Sequence, residues 1–207
     1  MARTLGREPL KTSMPQFDRA CAGCDISQGI SCPRGGLLQL AGGWLVNQYG
    51  GNEGFLGWLA RQPRVHRRQL DALSPPEQHA LGAHLVTLDR GLRRYWLRTF
   101  PKDPVEQVYF AFFYESRYDL PDPYTKRGKP YHVHIHVIPR TKHLGRLLRE
   151  NHEGVSIVNA WQVWRLKSTV PEPYRRPGTG EWDRATSLIR GLHRLMPGSR
   201  LVRGSAA

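Results

Sequence analysis

The run His132-Val133-His134-Ile135-His136 constrains this chain more than any other stretch. In an extended strand, side chains two apart share a face. The spacing therefore predicts that His132, His134 and His136 project together, while Val133, Ile135 and Val137 turn to the opposite side. Three imidazoles on one face repel when protonated and need partners when buried. Such an arrangement is costly unless a metal or a reaction uses it. The chain has only nine histidines, so chance clustering of this regularity is a poor explanation.

The flanking sequence supplies a sheet for that strand to join. Leu37 to Val46 alternates around Gly42-Gly43, as in a hairpin, and Phe55 to Ala60 reads as a further strand stopped by Pro63. Ser74-Pro75-Pro76-Glu77 is a capping box with proline at the first helical position. Leu81, Leu85, Leu88, Leu92, Tyr95 and Trp96 then mark one apolar face through about residue 98, and Pro101 ends the helix. Val105 to Tyr114 reads as a buried strand, Arg117 to Pro130 as a loop, and Tyr131 to Pro139 as the histidine strand. Beyond it come a short helix over Leu144 to Glu150, a strand over Val155 to Leu166 and an amphipathic helix over Trp182 to Met196. The pattern predicts an α+β fold: one antiparallel sheet with a long helix after Ser74 and a C-terminal strand and helix extension. The expected organisation is a flexible N-terminal arm over residues 1–19, a core domain over 20–142 and an extension over 143–207. The extension packs on that core or on a dimer partner.

Charge narrows the partners. With 31 basic and 17 acidic residues the net charge is +14, which favours anionic ligands, whether phosphate-bearing metabolites or nucleic acid. No zinc-finger array, helix-turn-helix pattern or compact basic arm accompanies it. No apolar run is long enough for a membrane span, and the N-terminus carries no apolar core of a secretory signal, so the expected compartment is the cytoplasm. The three cysteines, Cys21, Cys24 and Cys32, do not make a disulfide framework, and Cys21-Ala22-Gly23-Cys24 has the spacing of either a zinc knuckle or a redox dithiol.

Residues 132–138, His-Val-His-Ile-His-Val-Ile, resemble the motif of the histidine-triad (HIT) superfamily at every position, and Pro139-Arg140 continues as in bacterial members. Gly57 to His66 resembles the family's strand and Pro-Lys-x-His segment, and Cys21 to Gly29 resembles its Cys-x-x-Cys segment. The resemblance spans roughly residues 20 to 140. It implies a HIT-like fold, a homodimer, and nucleotidyl transfer through a covalent intermediate. His134 would attack an α-phosphorus, and His136 would donate to developing charge. It also implies a structural zinc ion held by Cys21, Cys24, His66 and His132. The third triad position is His136 rather than the Gln of many transferring members, which favours hydrolysis of an anhydride or phosphoramidate.

Candidate substrate contacts are Asn47, matched to a family Asp or Asn, Ser116 after the preceding strand, Lys129 and Arg127 before the triad, and Arg140 beyond it. Where the family carries His, this chain has Trp58, read as an aromatic core residue. Three other functions compete with the hydrolase: a nucleotidyl transferase with an acceptor other than water, a nucleic-acid-associated protein recruited by the basic surface, and a catalytically silent nucleotide binder.

Overall fold

The computed structural model describes residues 21–33, 35–49, 56–112, 132–150 and 179–202. Six strands form one antiparallel sheet: β1 (Leu37–Leu40), β2 (Trp44–Gln48), β3 (Leu59–Pro63), β4 (Val105–Ala111), β5 (Ile135–Thr141) and β6 (Arg200–Val202). Their order across the sheet is β4-β5-β3-β2-β1-β6. Among the described residues the helices are α1 (Ala22–Ser27), α2 (Pro75–Thr99), α3 (Lys142–Glu150) and α4 (Thr179–Leu195). The architecture is α+β.

Local chemistry explains the elements. Gly42 and Gly43 take positive φ in the turn between β1 and β2, where other residues would be strained. The α2 capping box forms, with the Ser74 N–H donating to the Glu77 carboxylate at 2.6 Å. Arg67 binds the same carboxylate at 3.1 Å, tying the loop after β3 to the start of α2. Gly57 sits at φ +90° with its open side against the Trp96 ring, so a Cβ there would collide. That turn delays β3, which starts at Leu59 rather than Phe55 and ends on Pro63, where a missing N–H is harmless.

One sheet face is the core. Leu38, Trp44, Val46, Leu59, Ile135 and Val137 pack against Leu88, Leu92 and Trp96 of α2 and Leu188, Ile189 and Leu192 of α4. Each such fully buried side chain contributes about 1.5–3 kcal/mol of burial. The C-terminal segment therefore belongs to the same core, and β6 continues the sheet by pairing with β1. The sequence reading missed β6; its three residues follow the Gly198 turn and are too short for a periodicity signal. The expected strand over Val155 to Leu166 lies outside the described residues. Among the described residues, no helix is long and apolar enough to cross a membrane.

The other face carries Asn47, Trp58, Ala60, Gln62, His136 and Ile138, because these residues share strand parity or cross-strand register. Asn47 pairs with Ala60, Ala60 with His136, and His136 with Ala111, so small residues flank His136 on both sides. α1 covers part of this face, held by the Gln62 amide donating to the Gly23 carbonyl at 2.9 Å.

A cation lies inside the core. Arg61 is fully buried; its guanidinium stands 3.8 Å over the Trp44 ring, and Nη2 donates to His84 Nδ1 at 2.9 Å. Its Nε and Nη1 have no hydrogen-bond partner, so much of the desolvation cost of the charge is uncompensated. Burial and then Arg61 push the His84 pKa down to about 4.

Two stability predictions follow from this pair. Arg61→Met should hold or raise stability by about 1–3 kcal/mol in urea unfolding, since an apolar isostere avoids the buried charge; a large loss would contradict that reading. The free imidazole takes up its proton near pH 6.5, before the folded one does. His84's contribution is thus complete above that pH and declines as pH falls towards 4, by up to about 3 kcal/mol. His84→Gln should flatten this acid limb relative to wild type, and parallel profiles would refute the assignment.

Candidate active site and metal centre

The histidine run divides into two sites. Residues 132–134 precede the β5 ladder, which starts at Ile135; the Val133 N–H is tied across to the Arg67 carbonyl at 2.7 Å. Alternation nevertheless holds across the run: Val133 joins Ile135 and Val137 in the core, and His132 lies beside Gln62 under α1, on the face that carries His136. His134 and His136 face each other, with ring centroids 4.6 Å apart. His132 instead lies edge-on to His66 at 5.1 Å and borders the two cysteines.

The His132 cluster has the composition of a metal centre. Cys21, Cys24, His66 and His132 each offer one donor atom, and the four atoms lie within 4.8 Å of one another. The cluster can hold a metal ion. His132 Nε2 bonds the Pro63 carbonyl at 2.9 Å. A carbonyl only accepts, so the proton sits on Nε2 and the Nδ1 lone pair faces Cys21 Sγ at 3.5 Å and Cys24 Sγ at 3.8 Å. Such an outer hydrogen bond fixes the tautomer a metal requires. Cys24 Sγ also lies 3.3 Å from His66 Nδ1. Burial, chiefly, pushes the His132 pKa down to about 4, which keeps the ring neutral and ready to ligate. Burial also raises the Cys21 thiol to about 11, so ligation there must displace a proton that the apo protein holds firmly.

Gly23 makes this arrangement possible. A Cβ at that position would lie 2.6 Å from His132 Nδ1 and 2.8 Å from its Cγ. Only glycine between the cysteines lets α1 approach the ring.

The second site is a chain of oriented hydrogen bonds. Trp58 Nε1 donates to His136 Nδ1 at 2.9 Å. Indole N–H is a donor only, so His136 accepts at Nδ1 and carries its proton on Nε2. That Nε2 lies 3.0 Å from His134 Nε2. His134 Nδ1 lies 2.9 Å from the His132 carbonyl and must donate to it. The two assignments agree: the bond between the rings runs from His136 to a lone pair on His134 Nε2. Tyr49 stacks on Trp58 at 5.2 Å and meets the His136 ring edge at 5.0 Å. His136 is 1% exposed, whereas His134 is only half-buried, so His134 is the accessible member of the pair.

Of the anticipated substrate contacts, Asn47 is buried in the row of His136, with Ala60 between them. Its Nδ2 donates to the Gln48 carbonyl at 2.9 Å, and its Oδ1 has no hydrogen-bond partner. Arg140 shares the His136 face but lies four residues along β5, about 13 Å away at strand rise. It bonds the Tyr109 hydroxyl at 3.0 Å and approaches Glu106 at 3.7 Å. Ser116, Arg127 and Lys129 lie outside the described residues. The sequence reading missed the polar role of Trp58, whose N–H supplies the hydrogen bond to His136. It also missed Gly23, whose signal was its place between the two cysteines.

No protein-family model matches the chain, and none of the curated proteins does. Three solved chains match; one is a crystal structure of a HIT family protein from Bacillus anthracis. That chain is 16% identical with a TM-score of 0.41, over 75% of this chain and 96% of that one. A likeness of this depth carries no argument about activity.

The metal centre gives a direct test. If the cluster holds a divalent metal ion, Gly23→Ala should weaken that binding at least tenfold in competition with a chromophoric chelator, the size expected when a ligand's support is disturbed. Gly82→Ala, whose Cβ would meet open space in α2, should bind as wild type does. Equal affinity for both variants would show that the ion binds elsewhere.

Proposed function

We propose that the chain is a histidine-triad hydrolase that cleaves a nucleotide at its α-phosphate, with His134 as the nucleophile. The observation that carries this reading is the lone pair on His134 Nε2, on a half-buried ring whose Nδ1 proton is held by the His132 carbonyl at 2.9 Å. An imidazole in that tautomer needs no base before it attacks. The resemblance of residues 132–138 to the triad motif and the chain's +14 charge support a phosphate-bearing substrate.

In this mechanism, His134 Nε2 attacks phosphorus and the bond to the leaving oxygen breaks, its electron pair departing with that oxygen. The new nucleotidyl-imidazolium keeps its Nδ1–H on the His132 carbonyl, which stabilises the positive ring. Once the lone pair is committed to phosphorus, His136 Nε2–H loses its acceptor and turns to a phosphate oxygen, where charge develops. Water then attacks phosphorus from the opposite side. The pair of the P–N bond returns to Nε2, and the surplus proton of water passes to solvent.

Asn47 Oδ1 is the proposed acceptor for a substrate hydroxyl, because a buried oxygen without a partner costs about 1–3 kcal/mol until something donates to it. Arg127, Lys129 and Ser116 are proposed phosphate contacts, and Arg140 is proposed for the distal end of a long substrate. The proposed metal is zinc, with Cys21, Cys24, His66 and His132 as ligands, an N/S set that suits it. Its contribution would be structural, joining α1, the His66 loop and the entry to β5.

Radiolabelled nucleotides mixed with the protein and quenched in alkali should leave a phosphoramidate-linked nucleotide. His134→Ala should abolish the label, and His136→Ala should slow its formation by about 10²–10³. Equal labelling of wild type and His134→Ala would remove His134 from the nucleophile's role.

A further inference from the structure

We infer that Trp58 is a positioning and specificity-determining residue: by donating to His136 Nδ1 it bars His136 from acting as an acid, and so restricts the enzyme to substrates whose leaving group departs as an anion. The inference rests on the nucleotidyl-transfer reading above and narrows its substrate class.

The argument starts from valence. An imidazole gives up a proton as a general acid only from its doubly protonated form, since a neutral ring that lost one would become an imidazolate. His136 can reach that form only by gaining a proton on Nδ1. That atom is occupied by the Trp58 Nε1–H at 2.9 Å, and a proton on Nδ1 would set donor against donor in a site where His136 is 1% exposed. The indole cannot relieve the clash by reversing the bond, because it has no acceptor atom. It is also held in place: Trp58 is fully buried and stacked on Tyr49 at 5.2 Å with the planes 20° apart.

The neutral His136 retains one function, to donate its Nε2–H as a hydrogen bond without transferring it. That suffices for a phosphate-type leaving group. In an acid anhydride the P–O bond breaks, the oxygen takes the electron pair, and the product is a stable phosphate anion that needs no proton at neutral pH. It does not suffice for an amine leaving group. In a phosphoramidate the P–N electron pair would go to an amide anion unless the nitrogen is protonated first, and His136 cannot supply that proton. The nucleotidyl-His134 adduct is itself a P–N compound but escapes this limit, because its nitrogen leaves as a neutral imidazole already protonated at Nδ1. The chain is therefore assigned to nucleoside polyphosphate anhydrides and against nucleoside phosphoramidates of simple amines.

The test compares initial rates of His134 labelling from an adenosine polyphosphate and from an adenosine phosphoramidate of an alkylamine, for wild type and Trp58→Phe. Wild type should favour the anhydride by about a hundredfold or more, the low end of what a missing general acid costs. Trp58→Phe frees His136 Nδ1 for a proton and should narrow that ratio by about tenfold, a change that a general loss of packing would not produce because it slows both substrates alike. If Trp58→Phe does not fold, the wild-type ratio alone decides. Labelling from amidate and anhydride at equal rates overturns the leaving-group assignment while preserving His134 as nucleophile; a ratio unchanged in a folded Trp58→Phe removes Trp58 from it. Labelling from neither compound overturns the nucleotidyl-transfer reading and this inference with it.

Discussion

The hydrogen bond from His134 Nδ1 to the carbonyl of His132, at 2.9 Å, is the interaction on which the rest of the site depends. A backbone carbonyl accepts and never donates, so this one contact decides where the proton of His134 sits and leaves its Nε2 as the acceptor of the His136 bond. The carbonyl is itself positioned by the residue that carries it: His132 is pinned on one side by Pro63 and borders Cys21 and Cys24 on the other. The ring proposed as a metal ligand and the ring proposed as the nucleophile are thus two residues apart on one extended segment.

The directions of the remaining bonds reinforce the same choice. Net, a hydrogen bond in water is worth about 1 kcal/mol, which biases two tautomers only about fivefold. Two buried donors facing each other cost about 1–3 kcal/mol more. Here Trp58, His136, His134 and the His132 carbonyl line up as successive donors and acceptors with no conflict, so reversing any one ring leaves a mismatch at both of its ends. The outcome is a site defined by proton position as much as by atom position. The core on the opposite sheet face contributes rigidity without entering the chemistry, and it tolerates one unusual feature, the buried Arg61 beside Trp44 and His84.

Much of this was legible in the sequence. The alternation in 132–136 announced a chemical face leading into β5, the Ser74 capping box placed the start of α2, and Gly42-Gly43 marked the hairpin. What alternation could not give was the meeting of His132 with the two cysteines rather than with the other triad rings, because that depends on α1 and on Pro63, both distant in sequence. Nor could it give the partner of His136. A tryptophan among apolar residues reads as core, and Trp58 is core by burial; its N–H becomes functional only through the β3–β5 register that pairs Ala60 with His136. Asn47 emerged as a candidate from the resemblance, but its alignment with His136 across Ala60 is a property of the sheet. β6 was invisible because three residues carry no period.

The central claim is that each ring of the triad has one fixed proton position. Long-range ¹H–¹⁵N correlation spectra of the zinc-loaded protein, with the three rings assigned by single substitution, test it most directly. His134 should carry its proton on Nδ1 with a bare Nε2, while His132 and His136 should both carry theirs on Nε2. A His134 protonated on Nε2, or a rapid average of both forms, would contradict the account at its root.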